Sequence, residues 1–143
     1  MSYINYASTI HDGCSQDTFI NINSVHRKAV KHLVNDPELQ TDDKLKKLKV
    51  LPLSKQYEYN KIILVHKVYH DLAPPYLNNL IRKAPNRYDS KNLILPLPRI
   101  DLYKNSLSFS GAALRNALPN ELKTLTSLKS FKSKLLRNLN AII

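Results

Sequence analysis

The sequence predicts a mainly α-helical fold of five to six helices, with a small two-stranded β-ribbon near residues 93–110. Apolar residues recur at helical spacing in several segments. Only two glycines are present, Gly13 and Gly111, which disfavours a turn-rich all-β fold and a glycine loop that cradles phosphate. An apolar content of 43% is sufficient for a core. At this length, residues 1–143 are predicted to form a single domain or a fragment of one.

Two helices are predicted in the N-terminal third, over residues 14–35 and 41–49. Ser15 or Asp17 can cap the first helix, because a short polar side chain accepts a hydrogen bond from the free N–H groups of the first turn. Thr41 is the predicted N-cap of the second helix for the same reason.

Residues 52–82 are predicted to form a long helix, a break at Pro74 and Pro75, and a second short helix. The apolar stripe of the long helix includes Tyr57 and Val68, and the prolines forbid its continuation. The charged residues predicted for its opposite face are Lys55, Glu58, Lys61 and Lys67.

The β-ribbon is predicted to follow a solvated loop at residues 83–92. The residues before Pro96 and Pro98 are pushed out of the helical region, so residues 93–98 are expected to be extended. Residues 102–110 alternate between two faces, which is typical of a strand. The prolines make the first arm an edge strand, and an isolated two-stranded ribbon has to pack on the helices to be stable.

Two further helices are predicted at the C-terminal end. A short helix covers residues 111–118 and ends at Pro119, and the terminal helix covers residues 126–141, capped by Thr126 or Ser127. The apolar residues of the terminal helix fall at i, i+3, i+7 and i+11, namely Leu128, Phe131, Leu135 and Leu139.

The candidate catalytic and metal-binding residues do not form a recognisable site. Asp42 and Asp43 are flanked by residues typical of a helix start, whereas a two-metal polymerase site needs paired aspartates between apolar strands. His66 and His70 have an i, i+4 spacing that can chelate zinc, but no third ligand is close in sequence. The favoured interpretation is two helix-surface or half-buried histidines. Cys14 has no base partner nearby and is interpreted as a small buried hydrophobe. The chain is therefore predicted to be no enzyme, without a metal or cofactor.

The basic character of the chain predicts a polyanionic partner, with nucleic acid the first choice. The formal net charge is +11, and seven Lys and Arg residues against one acid follow residue 101. Contacts of this kind neutralise phosphates and are salt-sensitive and of low sequence specificity. A solubilising face of an amphipathic helix explains the same lysines equally well. The predicted nucleic-acid-binding residues are Lys129, Lys132, Lys134 and Arg137 first, and Arg27 and Lys31 second.

The sequence predicts an intracellular protein, in nucleus or cytoplasm, that is not secreted and has no membrane partner. No apolar run approaches the roughly 20 residues of a membrane span. The first residues, MSYINYASTIHDG, lack the basic and apolar regions of a signal peptide. The single cysteine permits no internal disulfide and suits a reducing compartment.

Several segments resemble, in order, the region downstream of the polymerase core in the reverse-transcriptase polyprotein of LINE-type (non-LTR) retrotransposons. The segment that starts at residue 51, LPLSKQYEYNKIILVHKVYHDLAPPYL, is similar to "LPL … K … LVYK … L-A-P-x-Y-L" of that family. The segment from residue 94, ILPLPRIDLYKNSLSFSGAALRNALPNELKTLTSLKSFKSKLLRNL, resembles its terminal "PR … S-F … G-A-x-L-W-N-x-L-P … S … F-K-x-x-L" motif. The N-terminal part, INYASTIHDGCSQDTFININSVHRKAVKHLVND, resembles the helix that follows the polymerase core.

The resemblance implies a non-catalytic C-terminal tail that works beside an upstream polymerase core and its nucleic acid. The family's endonuclease and polymerase regions have no counterpart here. Its tryptophan in the terminal motif is replaced by Arg115, and the one in the N-terminal motif falls near Ile10 and His11. The alternative is a decayed remnant of a retroelement, or an interaction module without a ligand of its own.

Overall fold

The computed structural model describes residues 15–34, 36, 38–85 and 91–141. Its contacts divide the chain into two compact units, Met1–Tyr57 and Glu58–Ile143, which are described separately. The predicted fold class is confirmed, because the described residues form seven α-helices and one small two-stranded antiparallel sheet.

Unit 1 contains helices α1 (Gln16–Leu33) and α2 (Thr41–Lys47). The Ser15 side chain caps α1 and accepts a hydrogen bond of 3.4 Å from the backbone N–H of Thr18, as predicted. The predicted ends of this helix, residues 14 and 35, lie outside the described residues. The prediction of Thr41 as a cap was wrong, because Gln40 is the N-cap of α2 and its side chain makes no capping bond. The buried apolar residues of unit 1 are Val30, Val34, Leu45, Leu51, Leu53 and Tyr57.

Helix α3 (Leu53–Tyr69) ends before the predicted break at Pro74 and Pro75. Asp71 has a positive φ of 57°, and the N–H of Leu72 donates to the carbonyl of Lys67 at 2.8 Å, which closes the helix in a Schellman-type turn. The second short helix is a 3₁₀ helix, Pro75–Leu80. The predicted solvent position of Lys61 was wrong, because its side chain is 3% exposed and donates a 2.8 Å hydrogen bond to Ser110.

A two-stranded antiparallel sheet is confirmed, but the partner of its second strand is not the predicted one. Strand β1 (Arg82–Lys83) pairs with β2 (Leu93–Ile94), in a register that places Arg82 opposite Ile94. Lys83 of β1 lies in the segment predicted as a loop, and Arg82 lies at the end of the segment predicted as helical. Residues 86–90 of the predicted loop lie outside the described part.

Residues 102–110 are helical, so the strand prediction for this arm was wrong. They contain most of α4 (Asp101–Lys104) and of a π-helical turn, Leu107–Gly111. The Ser106 side chain accepts a 3.4 Å hydrogen bond from the N–H of Phe109, which starts the π turn as an N-cap starts a helix. Local capping therefore outweighs the alternating pattern.

Three helices complete unit 2: α5 (Ala112–Ala117), α6 (Asn120–Lys123) and α7 (Leu128–Ala141). One apolar cluster joins α3 to α7 and consists of buried Ile62, Leu118, Leu122, Phe131, Leu135 and Leu139. A second cluster joins α3 to the sheet and α5, and consists of buried Val65, Val68, Ile81, Leu93 and Ala112. The predicted apolar stripe of the terminal helix thus faces the core.

Candidate nucleic-acid interface

The four bases predicted first for nucleic-acid contact are all on α7 and all exposed. The helix contains no acidic residue, and none of the four bases makes an ion pair or hydrogen bond with another described residue. Their charge is therefore free to attract phosphate. The residues are Lys129, Lys132, Lys134 and Arg137.

The four bases divide into two pairs on α7. Since an α-helix turns about 100° per residue, Lys129 and Lys132 share one side of the exposed surface, and Lys134 and Arg137 share the other. Lys132 and Lys134, at the outer limits, point about 160° apart. A straight phosphate backbone therefore meets one pair at a time.

The pair formed by Lys134 and Arg137 has an acidic neighbour. Both line a shallow depression of about 310 Å³, together with Pro119, Glu121, Leu122 and Asn138. The Glu121 carboxylate reduces the attraction of this depression for phosphate. The pair formed by Lys129 and Lys132 has no such acid along the helix, so its positive charge is the less neutralised of the two.

The bases predicted second, Arg27 and Lys31, converge on one groove. They lie one turn apart on α1, and the open groove they line has a volume of about 480 Å³. Lys28, which the sequence analysis did not select, lines it as well. The remaining lining residues are Ile20, Asn23, Ser24 and Thr41. Lys31 lies four residues after Arg27 and three after Lys28, and this helical spacing was the sequence signal that could have added Lys28.

Arg27 also forms an ion pair with Asp42 on α2. The guanidinium nitrogen lies 3.6 Å from the carboxylate oxygen, and both side chains are at least half exposed. A pair of this kind contributes little stability, and an incoming phosphate can compete for the guanidinium. The Asp42 carboxylate therefore neutralises part of the Arg27 charge at the contact of α1 with α2.

Two of the seven bases counted in the basic C-terminal region are not on the surface. Arg115 is 1% exposed and Lys123 is 7% exposed. The Lys123 ammonium donates to the carbonyl of Asn116 at 2.7 Å and to the side chain of Asn92 at 3.0 Å. The interpretation of these two residues as part of a basic surface was wrong, because both pack inside unit 2.

His66 is fully buried, which corrects its interpretation as a surface or half-buried residue, whereas His70 is half-buried. The His66 ring stacks on Phe131 at 3.8 Å, and its centroid lies 4.4 Å from that of His70. Within the described residues, no group of three or more His, Cys, Asp or Glu side chains can hold a metal ion. Arg115 and Lys83 lie close enough to repel a cation from this pair.

The surroundings of these histidines favour their neutral forms. Burial, followed by the charges of His70 and Arg115, lowers the pKa of His66 from 6.5 to about 4, against a backbone interaction with Thr126. Burial also lowers the pKa of His70, with Arg115 and Lys83 acting in the same direction. Both rings are therefore neutral at neutral pH.

The chain matches no protein-family model, no curated protein and no solved structure. The resemblance to LINE-type elements therefore stays a prediction. No helix of residues 15–34, 36, 38–85 and 91–141 has the length and apolar character needed to cross a membrane.

Proposed function

We propose that this chain makes sequence-nonspecific contact with nucleic acid, as the non-catalytic C-terminal tail of a LINE-type reverse transcriptase. The observation that carries the proposal is the groove of α1, where Arg27, Lys28 and Lys31 line one open surface. Three cations at one groove suit successive phosphates better than the same cations scattered over a surface. The basic side of α7 with Lys129 and Lys132 supplies further contacts.

Contacts of this type act through charge rather than through base recognition. Neither the α1 groove nor the depression beside Lys134 and Arg137 has an aromatic side chain among its lining residues on which a base could stack. The expected ligand is therefore the phosphodiester backbone of RNA or DNA, and the expected affinity falls steeply with salt.

Salt-dependent binding to a labelled RNA–DNA hybrid and to single-stranded RNA tests the proposal. For single-stranded RNA, the logarithm of affinity against the logarithm of salt concentration loses about 0.7 of slope for each phosphate contact removed. We expect Arg27→Gln, Lys28→Gln and Lys31→Gln together to reduce the slope by about 2. The matched control replaces the exposed Lys46, Lys47 and Lys49 by Gln and should leave the slope nearly unchanged. Equal losses in both variants would show only an effect of net charge.

A second candidate function is docking on the polymerase core of a longer polyprotein, as the resemblance implies. The observation that favours it is the aliphatic segment after β2, in which Leu97 is 93% exposed and Ile100 is 62% exposed. Ile94, Pro96 and Leu97 line a groove of about 260 Å³. A large exposed apolar patch is typical of an interaction site.

Hydrogen exchange distinguishes this docking from nucleic-acid contact. The amides of residues 94–100 should become protected when the chain is produced together with an upstream polymerase region, and Leu97→Ser should remove that protection. Protection that survives Leu97→Ser, or its absence in the longer product, would contradict docking through this segment. Neither result depends on the bases of α1 and α7.

A further inference from the structure

Arg115 is a buried cation for which the described residues provide no carboxylate partner. Its side chain is 1% exposed, and its Nε, Nη1 and Nη2 atoms are buried without a hydrogen-bond partner. A guanidinium stays charged at any physiological pH, so it cannot relieve this cost by losing a proton. Its Cζ atom lies 3.8 Å from the centroid of the Tyr69 ring, a cation–π contact that offsets only part of the cost of burial.

The groups around Arg115 add positive charge. Lys83 Nζ lies 5.0 Å from the centroid of the Tyr69 ring, and the His70 ring lies 5.1 Å from it. The one carboxylate in this group, Asp71, pairs with Lys83 at 3.8 Å, and its side chain is 68% exposed. We call Arg115, Tyr69, His70 and Lys83 the Tyr69 cluster. Its two permanent cations exceed the one neighbouring carboxylate, that of Asp71, and buried Arg115 has no anion.

We propose that the Tyr69 cluster binds a small divalent oxyanion of the phosphate or sulfate type. Arg115 would donate to two of its oxygens in the forked geometry that guanidinium groups favour, and Lys83 would supply a second cation. The His70 Nε2 atom, which is buried and without a partner in the described part, would donate to a third oxygen once protonated.

The position of the cluster favours a free anion over a phosphodiester backbone. The Arg115 nitrogens have no exposed surface, whereas the Lys83 side chain is half exposed. An anion therefore reaches Arg115 only when neighbouring side chains move aside, and a compact ion needs a smaller opening than a polymer does. A divalent ion also matches two cations better than a singly charged phosphodiester.

Anion binding at this place should take up a proton. The charged and titratable groups that face His70 are His66 and Tyr69 on α3, Asp71 after it, Lys83 on β1, and Arg115 on α5. Arg115 and Lys83 favour neutral His70, and an anion between them and the ring reverses that influence. Affinity should therefore rise as the pH falls below 7.

Sulfate is the probe, because its charge is constant over this pH range. It is titrated into the full chain at constant ionic strength set with sodium chloride. Binding is followed by the melting temperature and by the Nε–H signal of Arg115 in ¹H–¹⁵N spectra. We expect sulfate to shift this signal, and Arg115→Met to raise the apparent dissociation constant about tenfold. The apolar replacement of an unpaired buried charge should fold at least as well as the original chain.

Two further variants make the outcome decisive. Lys83→Gln, at a half-exposed position, should also weaken sulfate binding. The variant with Gln at all four exposed bases of α7 should bind sulfate as tightly as the original chain, so failure of the nucleic-acid proposal leaves this test intact. The proposal is overturned if the Arg115 signal does not move with sulfate, or if Arg115→Met weakens RNA binding as much as sulfate binding.

Discussion

The basic residues of unit 2 belong to two environments that look the same in the sequence. Arg115 and Lys123 lie inside, where Lys123 holds Asn116 and Asn92 and Arg115 stacks on Tyr69. The bases of α7 lie in solvent without ion pairs to other described residues. Charge counting places both sets on one surface. Their neighbours in the fold decide which bases are buried inside unit 2 and which lie in solvent.

The buried set belongs to a polar framework around the sequence GAALRNALP at residues 111–119. The Asn116 side chain donates to the carbonyl of Leu93 and accepts from its N–H, each at 2.8 Å, as a neighbouring strand would. Gly111 packs against Val65. Gly111 and Asn116, which belong to the segment that resembles the terminal retrotransposon motif, thus make structural contacts inside unit 2.

The largest expected effect on the residues buried in unit 2 is a loss of stability at acid pH. The pKa of His66 is about 4 in the folded chain and 6.5 in its ordinary state, so the unfolded chain binds more protons between these values. The contribution of neutral His66 to the free energy of unfolding is therefore fully present above pH 6.5. It is lost as the pH falls toward 4, and the loss reaches up to about 3 kcal/mol.

Urea unfolding at a series of pH values measures this loss. His66→Leu should flatten the profile between pH 6.5 and 4, because the replacement does not titrate. His32→Leu, at an exposed position of α1, is the matched control and should leave the slope in place. A steep profile that persists in His66→Leu would assign the acid sensitivity to other groups.

Asn116→Ala should destabilise the same polar framework, because it removes hydrogen bonds within it. It removes both bonds to Leu93, whose backbone is then unsatisfied inside unit 2, and we expect a loss of about 2 kcal/mol in the free energy of unfolding. Asn79→Ala, at an exposed position, should cost far less. Equal losses for the two variants in denaturant unfolding would mean that the hydrogen bonds of the Asn116 amide do not stabilise unit 2.

Gly111→Ala should cost about 1–2 kcal/mol through overpacking. A Cβ atom at this position would lie 2.7 Å from Val65 Cγ2, and Val65 is fully buried and has little room to move. In a double-mutant cycle, Val65→Ala should relieve the clash, so that the double variant is more stable than the sum of the single losses predicts. Strictly additive losses would show that the cost of Gly111→Ala does not come from contact with Val65.

The helices could be predicted from the sequence because local signals agree with the tertiary packing. Ser15 caps α1, the turn at Asp71 ends α3 before the prolines, and the apolar stripe of α7 meets the core with Phe131 and Leu135. The second strand of the ribbon could not be predicted. The alternation in residues 102–110 is genuine, but Ser106 caps a π turn there, and residues 82–83 provide the pairing edge instead.

The sequence predicted the exposure of the candidate binding residues but not the burial of other basic residues. Exposure of Lys129, Lys132, Lys134, Arg137, Arg27 and Lys31 follows from helical period, since none shares a face with the core. Burial of Lys61, Arg115 and Lys123 depends on distant partners such as Ser110, Tyr69 and Asn92. Sequence spacing within one helix contains no information about such partners.

The exposed set should give the smallest effect on stability and a clear effect on binding. Lys129→Gln with Lys132→Gln removes two solvated charges that touch no described acid, so the free energy of unfolding should change by less than about 0.5 kcal/mol. The slope of RNA affinity with salt should fall by about 1.4, which corresponds to two contacts.

Lys134→Gln with Arg137→Gln changes the charge equally but acts beside Glu121, so it should lower the slope less. Salt titrations of both variants against the same RNA decide this. Equal slopes would mean that binding follows net charge alone, whereas a larger loss at Lys129 and Lys132 would locate the contact on one side of α7.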